Sequence, residues 1–334
     1  MSFDPTIVFA GVLALAILLY VLLDGFDLGL GILFPGAPDE KSRDTMMNSV
    51  APVWDGNETW LVLGGGGLLT GFPIAFGILM PAFYLPIIIM LLALIFRGVS
   101  FEFRFKATRN KHLWDKAFHY GSLTAAFMQG VILGAFIEGV AVEDFAYAGA
   151  AFDWLSPFSV FTGVAVVAGY ALLGATWTIW RTEGELQAWA YRMAGWLTLA
   201  VLGCLAVVSL WTPLTQSAIA ERWFSLPNFL YLAPIPVLTL AAAGALVLAL
   251  RRRREVAPFL LAYAIFLCGY AGLGASIWPY AVPRSVTLDQ AAAEPNSQVF
   301  VLIGLAVLLP IILGYTAYSY WVFRGKVDPD QGYH

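Results

Sequence analysis

Long apolar runs dominate the chain, and each is long enough to cross a lipid bilayer, since a transmembrane helix needs about 20 predominantly apolar residues. The pattern predicts nine spans, at 6–31, 58–77, 79–97, 118–138, 157–180, 193–212, 228–250, 257–278 and 298–323. Gly71, Phe72 and Pro73 predict a tight turn between the second and third spans. All connections are short. The pattern therefore predicts an all-α polytopic membrane protein, a single integral membrane domain over 1–334.

Composition excludes several classes of protein. Apolar and aromatic types make up 60% of the 334 residues and charged types 12%, whereas soluble domains are about 45–50% apolar and about 25% charged. A soluble enzyme, a disordered chain, a secreted disulfide scaffold and a nucleic-acid binder are excluded. Cys204 and Cys268 lie within apolar runs, which argues against a disulfide or thiolate metal site. We expect the first run to be a retained helix rather than a cleaved signal peptide.

The distribution of basic residues predicts the orientation. With nine spans, 16 of the 18 Lys and Arg residues fall on one side, and Arg222 and Arg284 on the other. Because cytoplasmic loops are enriched in Lys and Arg, we expect a periplasmic N-terminus and a cytoplasmic C-terminus. The run from Arg251 to Arg254 is interpreted as a topology anchor, with lipid headgroup binding as the alternative.

Two aspartates interrupt the first apolar run. Asp24 and Asp27 are three residues apart and share a helix face, and an acid inside a span is a functional candidate by default. Gly25, Gly29 and Gly31 would allow another helix to approach closely. The alternative is that the aspartates merely mark the membrane interface.

A second polar cluster precedes the second span. Trp54-Asp55-Gly56-Asn57-Glu58-Thr59-Trp60 places two carboxylates, an amide and two tryptophans in seven residues. Asp55 and Asn57 could cap the helix, and Asp55 with Glu58 resembles a capping box. Capping alone does not account for the whole cluster.

The third cluster ends the third span. Arg97 lies at the membrane boundary and is a natural counter-ion for the aspartates, and Glu102 and Lys106 follow it. A topological role for the basic residues is the alternative. The expected orientation brings all three clusters to the cytoplasmic leaflet. We therefore hypothesise a proton path that opens at Lys106 and Glu102 and passes inward through Asp55.

Other acids and a cation would complete this path. Its inner wall would be formed by Asp24, Asp27, Glu58 and Arg97, because acids linked by hydroxyls, amides and water can relay protons.

The histidines argue against a haem site. His112 and His119 lie in or beside a basic segment, and His334 is the last residue. Buried haem iron is usually held by His, Met, Cys or Tyr. This chain is therefore a poor candidate to bind haem by itself.

Several motifs together resemble subunit II of cytochrome bd-type quinol oxidases. The resemblance covers nearly the whole chain. It is carried by Asp24-Gly25-Phe26-Asp27-Leu28-Gly29, Trp54–Trp60, Phe96–Arg104, Gly174-Ala175-Thr176-Trp177, Arg181-Thr182-Glu183-Gly184, Trp278-Pro279-Tyr280 and Leu309–Val327. The modest length is more similar to the shorter, cyanide-insensitive branch of the family.

The resemblance implies nine helices arranged as two four-helix bundles plus one: helices 1–4 over 1–138, helices 5–8 over 157–278 and helix 9 over 298–323. It implies a heterodimer with a subunit I that carries haem b558, haem b595 and haem d, or a b-type haem in place of d. Such a complex lies in the bacterial cytoplasmic membrane, oxidises quinol and reduces oxygen to water. It is electrogenic by proton uptake from the cytoplasm, without pumping.

Residue roles also follow from the resemblance alone. Asp55, Glu102 and Lys106 would line the proton channel, and Trp60 would lie near an oxygen access route. Some family members bind a structural quinone in this subunit, and a small single-helix accessory subunit is a further possible partner. Glu58 is a neutral amide in some members, so an essential acid there is doubtful. Two other functions remain open: an ion-coupled secondary transporter, and a purely structural partner of a redox subunit.

Overall fold

The computed structural model describes residues 4–107 and 109–328, and helices make up most of this part of the chain. His334 lies outside it. The helices are α1 (Pro5–Leu33), a 3-10 turn (Phe34–Gly36), α2 (Glu40–Asn48), α3 (Trp54–Gly71), α4 (Pro73–Ala82), α5 (Tyr84–Lys106), α6 (Lys111–Glu138), α7 (Pro157–Arg181), α8 (Gly184–Thr215), α9 (Ser217–Phe224), α10 (Asn228–Leu232), α11 (Pro234–Arg251), α12 (Ala257–Ile277), α13 (Leu288–Ala291) and α14 (Pro295–Val322). The predicted polytopic all-α class is confirmed.

Two short antiparallel hairpins complete the described chain. Strands β1 (Val142–Glu143) and β2 (Ala146–Tyr147) pair between α6 and α7. Strands β3 (Tyr280–Val282) and β4 (Val286–Thr287) pair, with an irregularity in register, between α12 and α13. Both hairpins lie in connections between long helices.

Eight described stretches are long and apolar enough to cross a membrane. They are Pro5–Gly36, Tyr84–Lys106, Lys111–Glu138, Pro157–Arg181, Gly184–Thr215, Asn228–Arg251, Ala257–Ile277 and Pro295–Val322. The predicted run 58–77 is wrong at its end, because α3 stops at Gly71 and α4 is a separate short helix. The run 79–97 is wrong at its start, because α5 begins only at Tyr84.

Prolines explain the helix breaks in this region. The predicted turn at Phe72 is present, and Pro73 is the first residue of α4. A second break follows at Phe83, three residues before Pro86. Proline has no N–H to donate to the carbonyl four residues back, which favours positions in the first turn of a helix. Hydropathy alone could not place these breaks within an uninterrupted apolar run.

Helix α1 is central to the fold. It packs against α3, α6, α7 and α14. Phe26 stacks on Trp177 of α7 with ring centroids 4.2 Å apart. Tyr263 and Tyr270 of α12 each donate a hydrogen bond to a backbone carbonyl of α1, at 2.8 and 2.7 Å. The two aspartates of α1 therefore lie inside a packed bundle, not at its surface.

Charged contacts join the chain at one end of the bundle. We call this end, formed by α2, the α5–α6 turn, the α7–α8 turn and residues 323–328, the basic end. Helix α2 lies here, in the connection between the first and second predicted spans. Asp39 caps it by accepting from the Ser42 backbone N–H at 2.7 Å, and Met46 and Met47 are buried. An N-cap and a buried apolar pair make a stable short helix.

Candidate functional site

The two intramembrane aspartates share one cation. Asp24 and Asp27 are fully buried on α1, and Arg97 of α5 is fully buried beside them. Arg97 Nη2 lies 2.7 Å from Asp24 Oδ1 and 3.9 Å from Asp27 Oδ2. Removing one partner of such a pair leaves an uncompensated buried charge, which costs about 3–5 kcal/mol. The two aspartates and Arg97 are therefore expected to remain in contact in the folded protein.

Asn57 of α3 binds the second aspartate. Its Nδ2 donates to Asp27 Oδ2 at 2.7 Å and to the Leu23 carbonyl at 3.3 Å. Its Oδ1 accepts from the Tyr320 hydroxyl of α14 at 2.9 Å. The capping interpretation is wrong: α3 begins at Trp54, and its N-cap, Val53, makes no side-chain capping bond. Asn57 lies inside the helix and serves the buried acid.

Glycines bring the flanking helices close to this cluster. A Cβ on Gly29 would clash with the Tyr170 carbonyl oxygen and lie 2.8 Å from the backbone nitrogen of Gly174, so α1 and α7 touch through their backbones. A Cβ on Gly31 would clash with Ser122 of α6. The close helix approach expected at these glycines is present. It lets several helices enclose the aspartates.

A second buried polar chain was missed by the sequence analysis. Tyr170 of α7 donates to Gln129 Oε1 at 2.8 Å, and Gln129 Nε2 donates to the Tyr20 hydroxyl at 2.7 Å. Tyr20 lies one turn before Asp24 on α1. Single Tyr and Gln residues in separate apolar runs carry no signal of a shared network, because only the packing of three helices brings them together.

The expected outer residues form a separate, exposed group. Glu102 and Lys106 are one helical turn apart on α5 and pair at 3.1 Å, with 63% and 65% of their side chains exposed. Asp55 is exposed on α3, and Glu58, one turn further along, is partly buried. Across residues 4–107 and 109–328, no direct hydrogen bond or ion pair joins this group to Asp24 or Asp27.

Trp54 lies between the two groups. Its ring stacks on Phe101 with centroids 4.7 Å apart, and the Arg97 guanidinium lies 5.9 Å from its centroid. Such a contact stabilises a cation by about 0.5–2 kcal/mol. Trp60 lies further along α3 and is almost fully buried near Tyr20, and its Nε1 has no hydrogen-bond partner in the described chain.

Arg104 ties α2 to the rest of the basic end. Its buried side chain donates to Asp44 of α2 at 2.6 Å and to Asp115 of α6 at 2.5 Å. Lys111 pairs with Glu40 at 2.6 Å, and this hydrogen bond lowers the pKa of the Glu40 carboxyl. These contacts hold the segment that leads into Trp54 and Asp55.

Residues after α14 are bound to the same end. The Val327 N–H donates to the Arg181 carbonyl at 2.8 Å, and Arg181 Nη2 donates to the Phe323 carbonyl at 2.5 Å. Lys326 pairs with Glu255 at 2.9 Å, and this hydrogen bond lowers the pKa of the Glu255 carboxyl. The end of α14, and with it Tyr320, is fixed against α7.

The described side chains do not suit a haem. His119 Nδ1 lies 3.0 Å from the Gly31 carbonyl, and His112 is in the first turn of α6 at the basic end. No group of three or more His, Cys, Asp or Glu residues that could hold a metal ion occurs among the described residues.

Comparisons with known proteins agree on one family. The sequence profile described as cytochrome bd terminal oxidase subunit II matches residues 5–323. The chain is 30% identical over 350 residues to cytochrome bd-I ubiquinol oxidase subunit 2 of Escherichia coli (strain K12), covering 93% of this chain and 92% of that protein. It is 28% identical over 324 residues to cytochrome bd ubiquinol oxidase subunit 2 of Bacillus subtilis (strain 168), covering 92% and 93%.

A solved structure shares the fold. The chain superposes on a chain of the bd oxidase from Geobacillus thermodenitrificans with a TM-score of 0.75 and 17% sequence identity. The match covers 97% of this chain and all of the other. At this identity the likeness concerns the fold alone.

Proposed function

Because the chain belongs to the cytochrome bd terminal oxidase subunit II family, we propose that it conducts protons from the cytoplasm toward the oxygen-reducing site of its complex. The chain is a subunit of a terminal quinol oxidase, an oxidoreductase complex, and a multi-pass protein of the bacterial inner membrane. In bd oxidases, subunit II assembles with subunit I. Reduction of oxygen to water consumes protons, so the complex needs a route by which they arrive.

The buried cluster of Asp24, Asp27 and Arg97 carries this proposal. Charged groups within a membrane protein are costly and mark ion or proton pathways. Asp24 Oδ2 and Asp27 Oδ1 have no hydrogen-bond partner in the described chain. These carboxylate oxygens are the positions at which a proton can be taken up and passed on.

The route begins at the exposed group. Glu102 and Lys106 collect protons at the basic end, and Asp55 passes them to the partly buried Glu58. Asp24 and Asp27 form the inner wall, with Arg97 as their counter-ion. A proton relay needs hydrogen-bonded contact at each step. In this proposal, water molecules bound by the side chains connect the exposed group to the buried acids.

The arrangement in the membrane is part of the proposal. We infer nine crossings, with α3 added to the eight apolar stretches, a periplasmic N-terminus and a cytoplasmic basic end. The segments 1–138 and 157–278 would form the two four-helix bundles, and 298–323 the ninth helix. Cytoplasmic proton uptake in this orientation makes the reaction electrogenic without pumping.

The haems belong to the partner in this proposal. Subunit I would hold haem b558, haem b595 and haem d, or a b-type haem in its place, since the described side chains here do not suit a haem. Bound haem supplies the electron transfer and oxygen chemistry. Trp60 of this subunit would border an oxygen route. A structural quinone would bind within this subunit. A single-helix accessory subunit would be a further member of the complex.

The path is tested by removing one acid at a time from the intact complex. Asp55→Asn and Glu102→Gln are expected to lower oxygen consumption about tenfold or more, because a missing proton-transfer group typically costs about 10²–10⁴ in rate. Asp289→Asn, an exposed acid beside the β3–β4 hairpin, is the matched control. Haem content, measured by absorption, should be normal in all variants. Normal turnover in Asp55→Asn with full haem content would refute the path and favour a purely structural subunit.

A further inference from the structure

Tyr320 reaches the buried acids from the last helix of the chain. Its hydroxyl donates to Asn57 Oδ1 at 2.9 Å, and Asn57 Nδ2 donates to Asp27 Oδ2 at 2.7 Å. The Tyr320 ring packs edge-on against Phe26 and Trp177, with centroids 6.5 and 6.4 Å away. The hydroxyl is therefore held in place by packing as well as by its hydrogen bond.

The chemistry of the neighbours fixes the direction of these bonds. Asp27 Oδ2 and the Leu23 carbonyl both accept from Asn57 Nδ2, so the amide nitrogen must face them. The Asn57 oxygen then faces Tyr320, which must donate. Both ends of the Asn57 side chain are satisfied only in this orientation, because a carbonyl and a carboxylate cannot donate.

The two oxygens of Asp27 are consequently unequal. Oδ2 is occupied by Asn57, whereas Oδ1 is buried without a hydrogen-bond partner in the described chain. We propose that Tyr320 is a positioning residue which, through Asn57, directs proton exchange at Asp27 to Oδ1. This inference rests on the proposed proton path and adds the residues that orient one of its acids.

Other charged and titratable groups also surround Asp27, and the positioning role proposed for Tyr320 does not alter their contacts. Asp24 lies on the same helix, and Arg97 Nη2 of α5 lies 3.9 Å from Asp27 Oδ2. Glu58 of α3, Tyr263 of α12 and Tyr320 of α14 are near enough to interact with Asp27 electrostatically. Among them, Tyr320 acts on Asp27 through a hydrogen-bonded intermediary.

The test compares the pH dependence of turnover in purified, haem-loaded complexes. Tyr320→Phe keeps the ring contacts and removes the hydroxyl, which leaves the Asn57 side chain held only by its bonds to Asp27 and Leu23 and therefore more loosely. A donor to a carboxylate favours its charged form, so loosening it should move the half-maximal pH upward by about half a unit to one unit. Tyr318→Phe, on the exposed side of the same helix, should leave the profile unchanged.

Further variants make the result specific. Asn57→Ser removes the intermediary and should shift the profile at least as far, which keeps the test valid if Tyr320→Phe fails to assemble. In an Asp27→Asn background, Tyr320→Phe should have no additional effect, because the target of the positioning is gone.

The failures of the two proposals are distinguishable. An impaired Asp27→Asn complex beside wild-type profiles in Tyr320→Phe and Asn57→Ser overturns the positioning role alone. A normal profile in Asp27→Asn overturns both the positioning role and the place of Asp27 in the proton path. The role of Asp55 is then judged by its own variant.

Discussion

Replacing Gly29 with alanine should separate α1 from α7. The added Cβ would lie 2.7 Å from the Tyr170 carbonyl carbon and 2.8 Å from the Gly174 nitrogen. Ordinary contacts between carbon atoms are about 3.5 Å or longer, so the carbonyl carbon alone requires the helices to move apart by roughly 0.8 Å, and the nearer Tyr170 carbonyl oxygen requires more. Both obstacles are backbone atoms, and no change of side-chain rotamer can relieve the clash.

The cost follows from the contacts that this movement weakens. A gap of about 0.5–1 Å forfeits a quarter to a half of the attraction between a pair of atoms, which is about 0.1–0.2 kcal/mol. If about 40 atom pairs at the interface lose a third of about 0.15 kcal/mol each, the loss is about 2 kcal/mol. This agrees with the usual cost of overpacking, about 1–3 kcal/mol.

Unfolding of the purified complex in mixed micelles, titrated with a denaturing detergent, measures this loss. The matched control is Gly269→Ala on α12, where an added Cβ meets nothing within 4 Å. Both variants gain the same helix propensity, so the difference between them isolates the packing term. Equal stability of the two variants would show that α1 and α7 do not meet backbone to backbone.

Two further predictions concern the basic end. Arg104→Gln should lower the free energy of unfolding by about 1–3 kcal/mol, because it leaves the partly exposed Asp44 and Asp115 without their shared cation. Limited proteolysis between α1 and α3 should therefore accelerate. The pKa of the Glu255 carboxyl is lowered by its hydrogen bond to Lys326. This contact therefore stabilises the C-terminal segment fully above about pH 4.3, the ordinary glutamate pKa. The stabilisation is lost as the pH falls through the lowered pKa. Carboxypeptidase digestion should therefore accelerate at low pH, and Lys326→Met should remove that dependence.

The helical class could be predicted because bilayer-length apolar runs leave few alternatives. The turn at Phe72 could be predicted from Gly71 and Pro73, but the break at Phe83 could not, because it interrupts a run that is apolar on both sides. Helix α2 could not be predicted from apolar runs, because its nine residues form none, although Asp39 is a recognisable N-cap residue. Short helices of this kind owe their stability to tertiary contacts, here those of the buried Met46 and Met47.

Part of the candidate site could also be predicted from the apolar runs. Asp24 and Asp27 are conspicuous because acids are rare in apolar runs, and Arg97 is a cation at the boundary of a neighbouring span. The role of Asn57 could not be read, because an amide near a helix start resembles a cap in sequence. Tyr320 is 263 positions away from Asn57, and only the packing of α14 against α1 and α3 brings them together.

The shared cation of α1 also has a consequence for biogenesis. The ribosome completes α1 before it begins α5, so the nascent chain presents two acids to the insertion machinery before Arg97 exists. An aspartate at the centre of an inserting helix costs about 2.5–3.5 kcal/mol, which is an upper limit for Asp24 and Asp27 in the second half of α1, and the apolar remainder of the helix must offset their cost. The mature ion pair therefore forms late in insertion, and a chain stalled ahead of α5 contains Asp24 and Asp27 but not Arg97.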